Sequence, residues 1–173
     1  MQSFLGKLFE LNYGALFRNL EGLSHEESLI EPPPGGNSVN WVVGHITASR
    51  NRILPLLGQT PLWPRERVVL YSGREEAHWS VERALHLDVI KTDLARSQQM
   101  LMGALDDATD ATLAVPTETG LPLRDALGFS HFHESYHGGQ IAVLRRLLGH
   151  PGVIKPPASG RAADALRPLG AAR

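Results

Sequence analysis

The segment Ser130-His-Phe-His-Glu-Ser-Tyr-His-Gly-Gly-Gln140 carries the densest chemistry in the chain. His133 and His137 stand four residues apart, which on a helix offsets them by about 40° around the axis and about 6 Å along it. Two imidazoles so placed can meet one metal ion, since each ring nitrogen has to come within about 2.0–2.1 Å of it. The same stripe runs on through Gln140, Leu144 and Leu147, so the pair is in phase with apolar residues rather than with solvent. The alternative is two separate hydrogen-bonded histidines of a core. Apolar neighbours on the stripe favour a site, because unpaired polar groups inside a bundle are costly.

His133-Glu134-Ser-Tyr-His137 also spells the HExxH pattern of zinc proteases. That chemistry needs a third ligand, usually downstream, and the stretch Gln140-Ile-Ala-Val-Leu-Arg-Arg that follows offers none. No strand pattern is present to edge a protease cleft, so this reading is set aside. The third ligand has to come from elsewhere, and His45 is the best candidate. Asn37, Trp41 and His45 share one face of a helix at spacings of four, with Trp41 read as packing and Asn37 as a cap or a partner of the site. His25, His78, His86 and His150 fall in loops or at poorer phases and are expected to face water. His131 lies about 200° around the helix from His133 and should point away.

Positioning these residues requires helices. Phe4, Leu8, Leu11 and Ala15 mark a first helix, with Ser3 as a candidate N-cap, Leu5, Phe9, Leu16 and Leu20 widening its apolar face, and Gly22 as its stop. Three prolines and two glycines in Glu31-Pro-Pro-Pro-Gly-Gly-Asn37 exclude a helix there. A second helix is expected from Asn37 or Ser38 to about Leu54. Residues 58–79 read as a loop whose Trp63, Tyr71 and Trp79 pack down on the protein. A third helix is expected after Ser80, keeping Leu87, Ile90, Leu94, Leu101 and Leu105 in phase. A fourth should open with Pro122 as its first helical residue and end at Gly149-His-Pro-Gly152. The fold class is therefore all-α, a four-helix bundle over residues 1–150 with a peripheral tail at 151–173. The connections at 23–36 and 58–79 exceed the roughly 2–8 residues that join simple antiparallel helices, which leaves room for a crossover.

Composition agrees with such a domain. The chain has 173 residues, 42% hydrophobic and 20% charged, with 17 basic and 18 acidic side chains. That near-neutral balance speaks against a nucleic-acid partner bound through a basic field. No run approaches the ~18 apolar residues of a membrane span, and the opening residues lack a signal-peptide layout, so the cytoplasm is the expected compartment. The absence of cysteine excludes disulfides, thiolate metal sites and a cysteine nucleophile.

Together, Trp41-Val-Val-Gly-His45, His133-Glu-Ser-Tyr-His-Gly-Gly-Gln140 and Leu144-Arg-Arg-Leu-Leu-Gly149 resemble the DinB/YfiT-like superfamily over about residues 4–150. The resemblance implies up-down-down-up topology, a homodimer, and one divalent metal ion held by His45, His133 and His137. Many relatives place a further histidine one turn before the first of the pair, where this chain has Phe129; that residue is usually not a ligand.

Three neutral imidazoles on zinc or nickel leave coordination positions open. The resemblance implies a transferase or isomerase in which the metal activates a low-molecular-weight thiol, such as bacillithiol or mycothiol, against a small electrophilic substrate. Two alternatives stand beside it. One is a metal-dependent hydrolase of a small amide or ester, with Glu134 or Tyr136 as proton carrier, although each sits about 100° from its adjacent ligand. In the bland reading Glu134 is a surface or interface carboxylate and Tyr136 packs on a neighbouring helix. The other alternative is a metal-holding stress protein without turnover. Histidines with ordinary pKa values near ~6.5 would release such an ion below pH ~6.

Overall fold

The computed structural model describes residues 4–73 and 79–154. Four long helices form the body: α1 (Phe4–Leu20), α3 (Val39–Ile53), α5 (Leu87–Asp107) and α7 (Leu123–Leu147). Three short ones lie in the connections: α2 (His25–Leu29), α4 (Arg65–Leu70) and α6 (Asp110–Ala114). The class is all-α; among the described residues the only β pairing is one isolated bridge between Pro116 and Pro122.

Side-chain contacts fix the topology. Asn12 reaches His131, and the Leu16 side chain meets Gly138 further along both helices, so α1 and α7 run parallel. Arg50 meets Glu134 while His45 meets His133 and His137, so α3 and α7 are antiparallel. Asn40 bonds the Leu85 carbonyl just before α5 and Arg50 approaches the Leu94 carbonyl within it, so α3 and α5 are parallel. The order is up-down-down-up. The parallel step from α3 to α5 forces the chain back along the bundle, and the long segment between them makes that crossover.

Local chemistry sets the helix ends. The Ser38 hydroxyl accepts from the Trp41 N–H at 3.3 Å and caps α3, a role that Asn37 therefore does not take. Gly22 and Gly58 adopt φ of 74° and 71°, in the left-handed region that glycine reaches without strain. Ser24 and Glu27 form a capping box on α2, as their types and spacing of three allow. Ser3, the expected cap of α1, and the tail from residue 155 lie outside the described residues.

Three expectations need correction. The third long helix begins at Leu87 rather than after Ser80; Val81–Arg83 make a single 3-10 turn. The intervening chain is instead tied to α3 and the crossover: the Leu85 N–H donates to the Tyr71 hydroxyl at 2.8 Å, and the Leu85 carbonyl accepts from Asn40 at 2.9 Å. Pro122 is the cap of α7 and not its first residue. On α1 the core-facing stripe is Phe9, Leu16 and Leu20, whereas Phe4 is 76% exposed.

The apolar core falls into two clusters. One gathers Leu16, Val42, Val43, Ile46, Leu94 and Ile141, and the other Phe9, Ile53, Leu101, Leu105 and Leu127. Trp63 and Tyr71 of the crossover are buried in the first cluster, with Trp79 packed against it, as a loop that packs down requires. Between the clusters each long helix contributes polar groups: Tyr13, Arg50, Ser97 with Gln98, and Glu134.

Candidate metal centre

His45 on α3 and His133 and His137 on α7 bring their Nε2 atoms together. The His45 and His133 nitrogens are 3.1 Å apart, and those of His133 and His137 are 3.2 Å apart. Two nitrogen ligands at about 2.0–2.1 Å from one ion, with angles of 90–110°, stand about 2.9–3.4 Å from each other. The donor set fits a single divalent ion. His45 and His137 are buried and His133 is half-buried, so the cluster sits at the edge of the α3–α7 seam.

The far side of two rings is fixed. His45 Nδ1 donates to the Tyr71 carbonyl at 2.6 Å, and His137 Nδ1 donates to Gln140 Oε1 at 2.7 Å. An Nδ1–H facing an oxygen leaves Nε2 as the lone-pair nitrogen of the neutral ring, and such bonds also set ring orientation and raise ligand basicity. The Trp41 indole stacks on the His45 ring at 4.8 Å with an interplanar angle of 9°. Trp41 packs against the apolar core as expected and also forms one wall of the site.

Electrostatics hold the rings neutral. Burial pushes the His133 pKa down to about 4, helped by the neighbouring His137 and His45 and by Arg52. Burial also lowers His45, opposed by its bond to the Tyr71 carbonyl, and lowers His137, opposed by Gln140. Neutral imidazole is the metal-binding form.

The other candidates fall elsewhere. Glu134 is not a surface carboxylate: it is 3% exposed, and both its oxygens accept from Arg50 at 2.8 Å. Tyr136 is 58% exposed, with its ring edge-on to His137. His131 turns away from the cluster onto Phe9, as its phase predicts. His25 and His150 are less free than expected. His25 lies tilted against the His86 ring and accepts from the Leu87 N–H, and His150 pairs with Glu27 at 2.9 Å. His78 lies outside the described residues.

Sequence reasoning missed Tyr71 and Arg50. Tyr71 supplies a backbone carbonyl from a loop, which no side-chain pattern encodes. Arg50 lies five residues beyond His45 and off its stripe, so periodicity gives no reason to place it inside. Gln140 was on the stripe, and its spacing of three from His137 was the available signal for its contact.

An antiparallel and parallel pairing of four long helices with three histidine nitrogens converging on one seam defines a helical-bundle protein whose cluster could hold a metal ion. The sequence profile of the DinB superfamily matches residues 8–141, and the chain belongs to that superfamily. A conserved protein from Enterococcus faecalis, known from its crystal structure, has a similar fold: TM-score 0.66 at 18% identity, covering 86% of this chain and 98% of that one. No curated protein matches the sequence. Among the described residues no helix is long and apolar enough to cross a membrane.

Proposed function

We propose that this protein is a metal-dependent transferase that joins a low-molecular-weight thiol to a small electrophile. The observation that carries the reading is the convergence of three Nε2 atoms, that of His133 lying 3.1 Å from His45 and 3.2 Å from His137, with two of the rings held from behind by Tyr71 and Gln140. Bound there, a zinc or nickel ion supplies positive charge that favours thiolate over thiol at neutral pH. In the overall reaction a sulfur–carbon bond forms, the electrophile's leaving-group bond breaks, and the thiol proton passes to solvent or the leaving group.

The chain's own residues support a nucleophile brought in from outside. The sequence has no cysteine. The carboxylate adjacent to His133 has both oxygens engaged by Arg50, which disfavours the hydrolytic alternative with Glu134 as base. Tyr136 and Gln140, which flank and hold His137, also line an open groove of about 540 Å³ together with Val42, Val143 and Leu144. Among the described residues no charged side chain lines this groove, so it suits the apolar body of an electrophile.

We also read the protein as a homodimer, as the superfamily resemblance implies, and place it in the cytoplasm. Phe17 packs against the core beside Tyr13. Phe129, Phe132 and Val143 of α7 are exposed instead. Light scattering that finds only monomer at micromolar concentration removes this part of the reading.

The test of the activity is a panel of thiols with a common electrophile such as monochlorobimane, run with zinc-loaded, nickel-loaded and chelator-treated protein. Product formation that needs both thiol and metal is expected. Ester or amide cleavage without thiol would move the assignment to hydrolysis, and no turnover under any condition would leave a metal-holding protein.

A further inference from the structure

One guanidinium lies in the polar layer between the two apolar clusters and touches all four long helices. Arg50 of α3 donates from Nε and Nη2 to the two oxygens of Glu134 on α7, each at 2.8 Å. Its Nη1 reaches the Ser97 hydroxyl of α5 at 3.3 Å, and its Cζ sits 5.9 Å from the centre of the Tyr13 ring of α1. The two charged side chains are 2% and 4% exposed.

Stability alone gives no reason for such a pair. Desolvating two charges offsets much of their attraction, and well-packed apolar replacements are often as stable or more so. An apolar contact cannot, however, reproduce axial precision. A two-point fork tolerates little sliding, and one residue of helix is about 1.5 Å of rise. Glu134 directly follows His133, and Arg50 lies five residues beyond His45. Any slide of α3 along α7 that breaks the fork also changes the 3.1 Å separation of the His45 and His133 nitrogens.

We propose that Arg50 and Glu134 are positioning residues, a buried ion pair that fixes the axial register of α3 on α7 at which the three histidine nitrogens converge. The inference rests on the reading that the cluster holds a metal ion.

The test replaces the pair by apolar residues together, Arg50→Met with Glu134→Leu. Ser97 donates to the Leu94 carbonyl at 2.7 Å on its own account, so it keeps a partner when Arg50 is removed. The metal-free double variant should unfold at or above the wild-type temperature. Its affinity for Co²⁺ and Zn²⁺ should be about 10–100-fold weaker, the usual effect of removing a group that orients a ligand, and the Co²⁺ visible absorption bands should change in position or intensity. Should the double variant not fold, Arg50→Lys decides, since it keeps the charge but not the fork; the same loss of affinity and altered bands are expected. A folded variant of either kind with wild-type affinity and spectrum overturns the proposal. Wild-type protein that takes up no Co²⁺ or Zn²⁺ is a different result: it removes the metal reading itself, and this inference with it.

Discussion

The backbone carbonyl of Tyr71 accepts a 2.6 Å hydrogen bond from His45 Nδ1, while the ring of the same tyrosine lies against Gly44, the residue before that histidine. One crossover residue thus grips α3 from two directions. A β-carbon on Gly44 would collide with the Tyr71 ring, which gives the glycine of Trp41-Val-Val-Gly-His45 a steric reason.

Gly44→Ala is therefore expected to be destabilising despite the better helix propensity of alanine. Overpacking of this kind typically amounts to about 1–3 kcal/mol. Metal affinity should fall as well, because displacing the ring moves the carbonyl that orients His45. Denaturant midpoints and a Zn²⁺ competition titration check both. An alanine variant as stable as wild type would show that the ring contact is not limiting.

His45, His133 and His137 should bind one divalent ion per chain. Elemental analysis of His133→Ala is expected to find most of the metal gone, with helical circular dichroism retained. Full metal content in that variant would place the ion elsewhere.

Proton competition should begin at lower pH than for free histidines. Three imidazoles of ordinary pKa would lose about 50-fold in affinity between pH 7.5 and pH 6. With His133 lowered to about 4 and His45 and His137 also lowered, the loss should stay below the roughly 15-fold that two ordinary imidazoles alone would give. That moves metal release below the pH ~6 suggested by sequence alone. For the metal-free protein the sign is equally defined. The unfolded chain takes up a proton on His133 near its ordinary 6.5 and the folded one only near 4. Stability should then be unaffected by this group above 6.5 and fall as pH drops from 6.5 towards 4. Chelator competition at the two pH values, and thermal unfolding across pH 4–7, test this pair of statements.

Glu134→Gln should act first on the fold. Leaving Arg50 buried without its counter-charge is expected to lower stability by about 3–5 kcal/mol, read from the denaturant midpoint. At saturating metal, turnover by the fraction that remains folded should fall far less than in His137→Ala, since a thiolate nucleophile needs no carboxylate base. A folded, metal-loaded Glu134→Gln protein that had lost about 10²–10⁴-fold in rate while keeping the wild-type Co²⁺ absorption bands would mark a general base and favour hydrolysis.

Much of this arrangement was legible in the chain. The four long helices follow from apolar periodicity and from Ser38, Gly22 and Pro122, because those signals are local. The three histidines could be assigned to one site because two share a helix face and the third has a matching phase in a motif of its own. What escaped depends on contacts distant in sequence. The start of α5 is set by Tyr71 and Asn40 holding Leu85, which overrides the helical pattern after Ser80. Glu134 looked exposed because its partner Arg50 lies 84 residues away, and a carboxylate without a visible partner is placed in water by default.

The histidines that converge come from parts of the chain 88 residues apart, so an unfolded polypeptide offers at most the α7 pair. An ion that binds the assembled cluster and not the coil adds to folding free energy in proportion to the logarithm of its free concentration, about 2.7 kcal/mol at one hundred times its dissociation constant. The amount of folded protein in a cell would then follow the available metal pool. Starvation for the ion would lower the stability of the scaffold, and with it any activity that depends on the metal; replenishment would restore the two together.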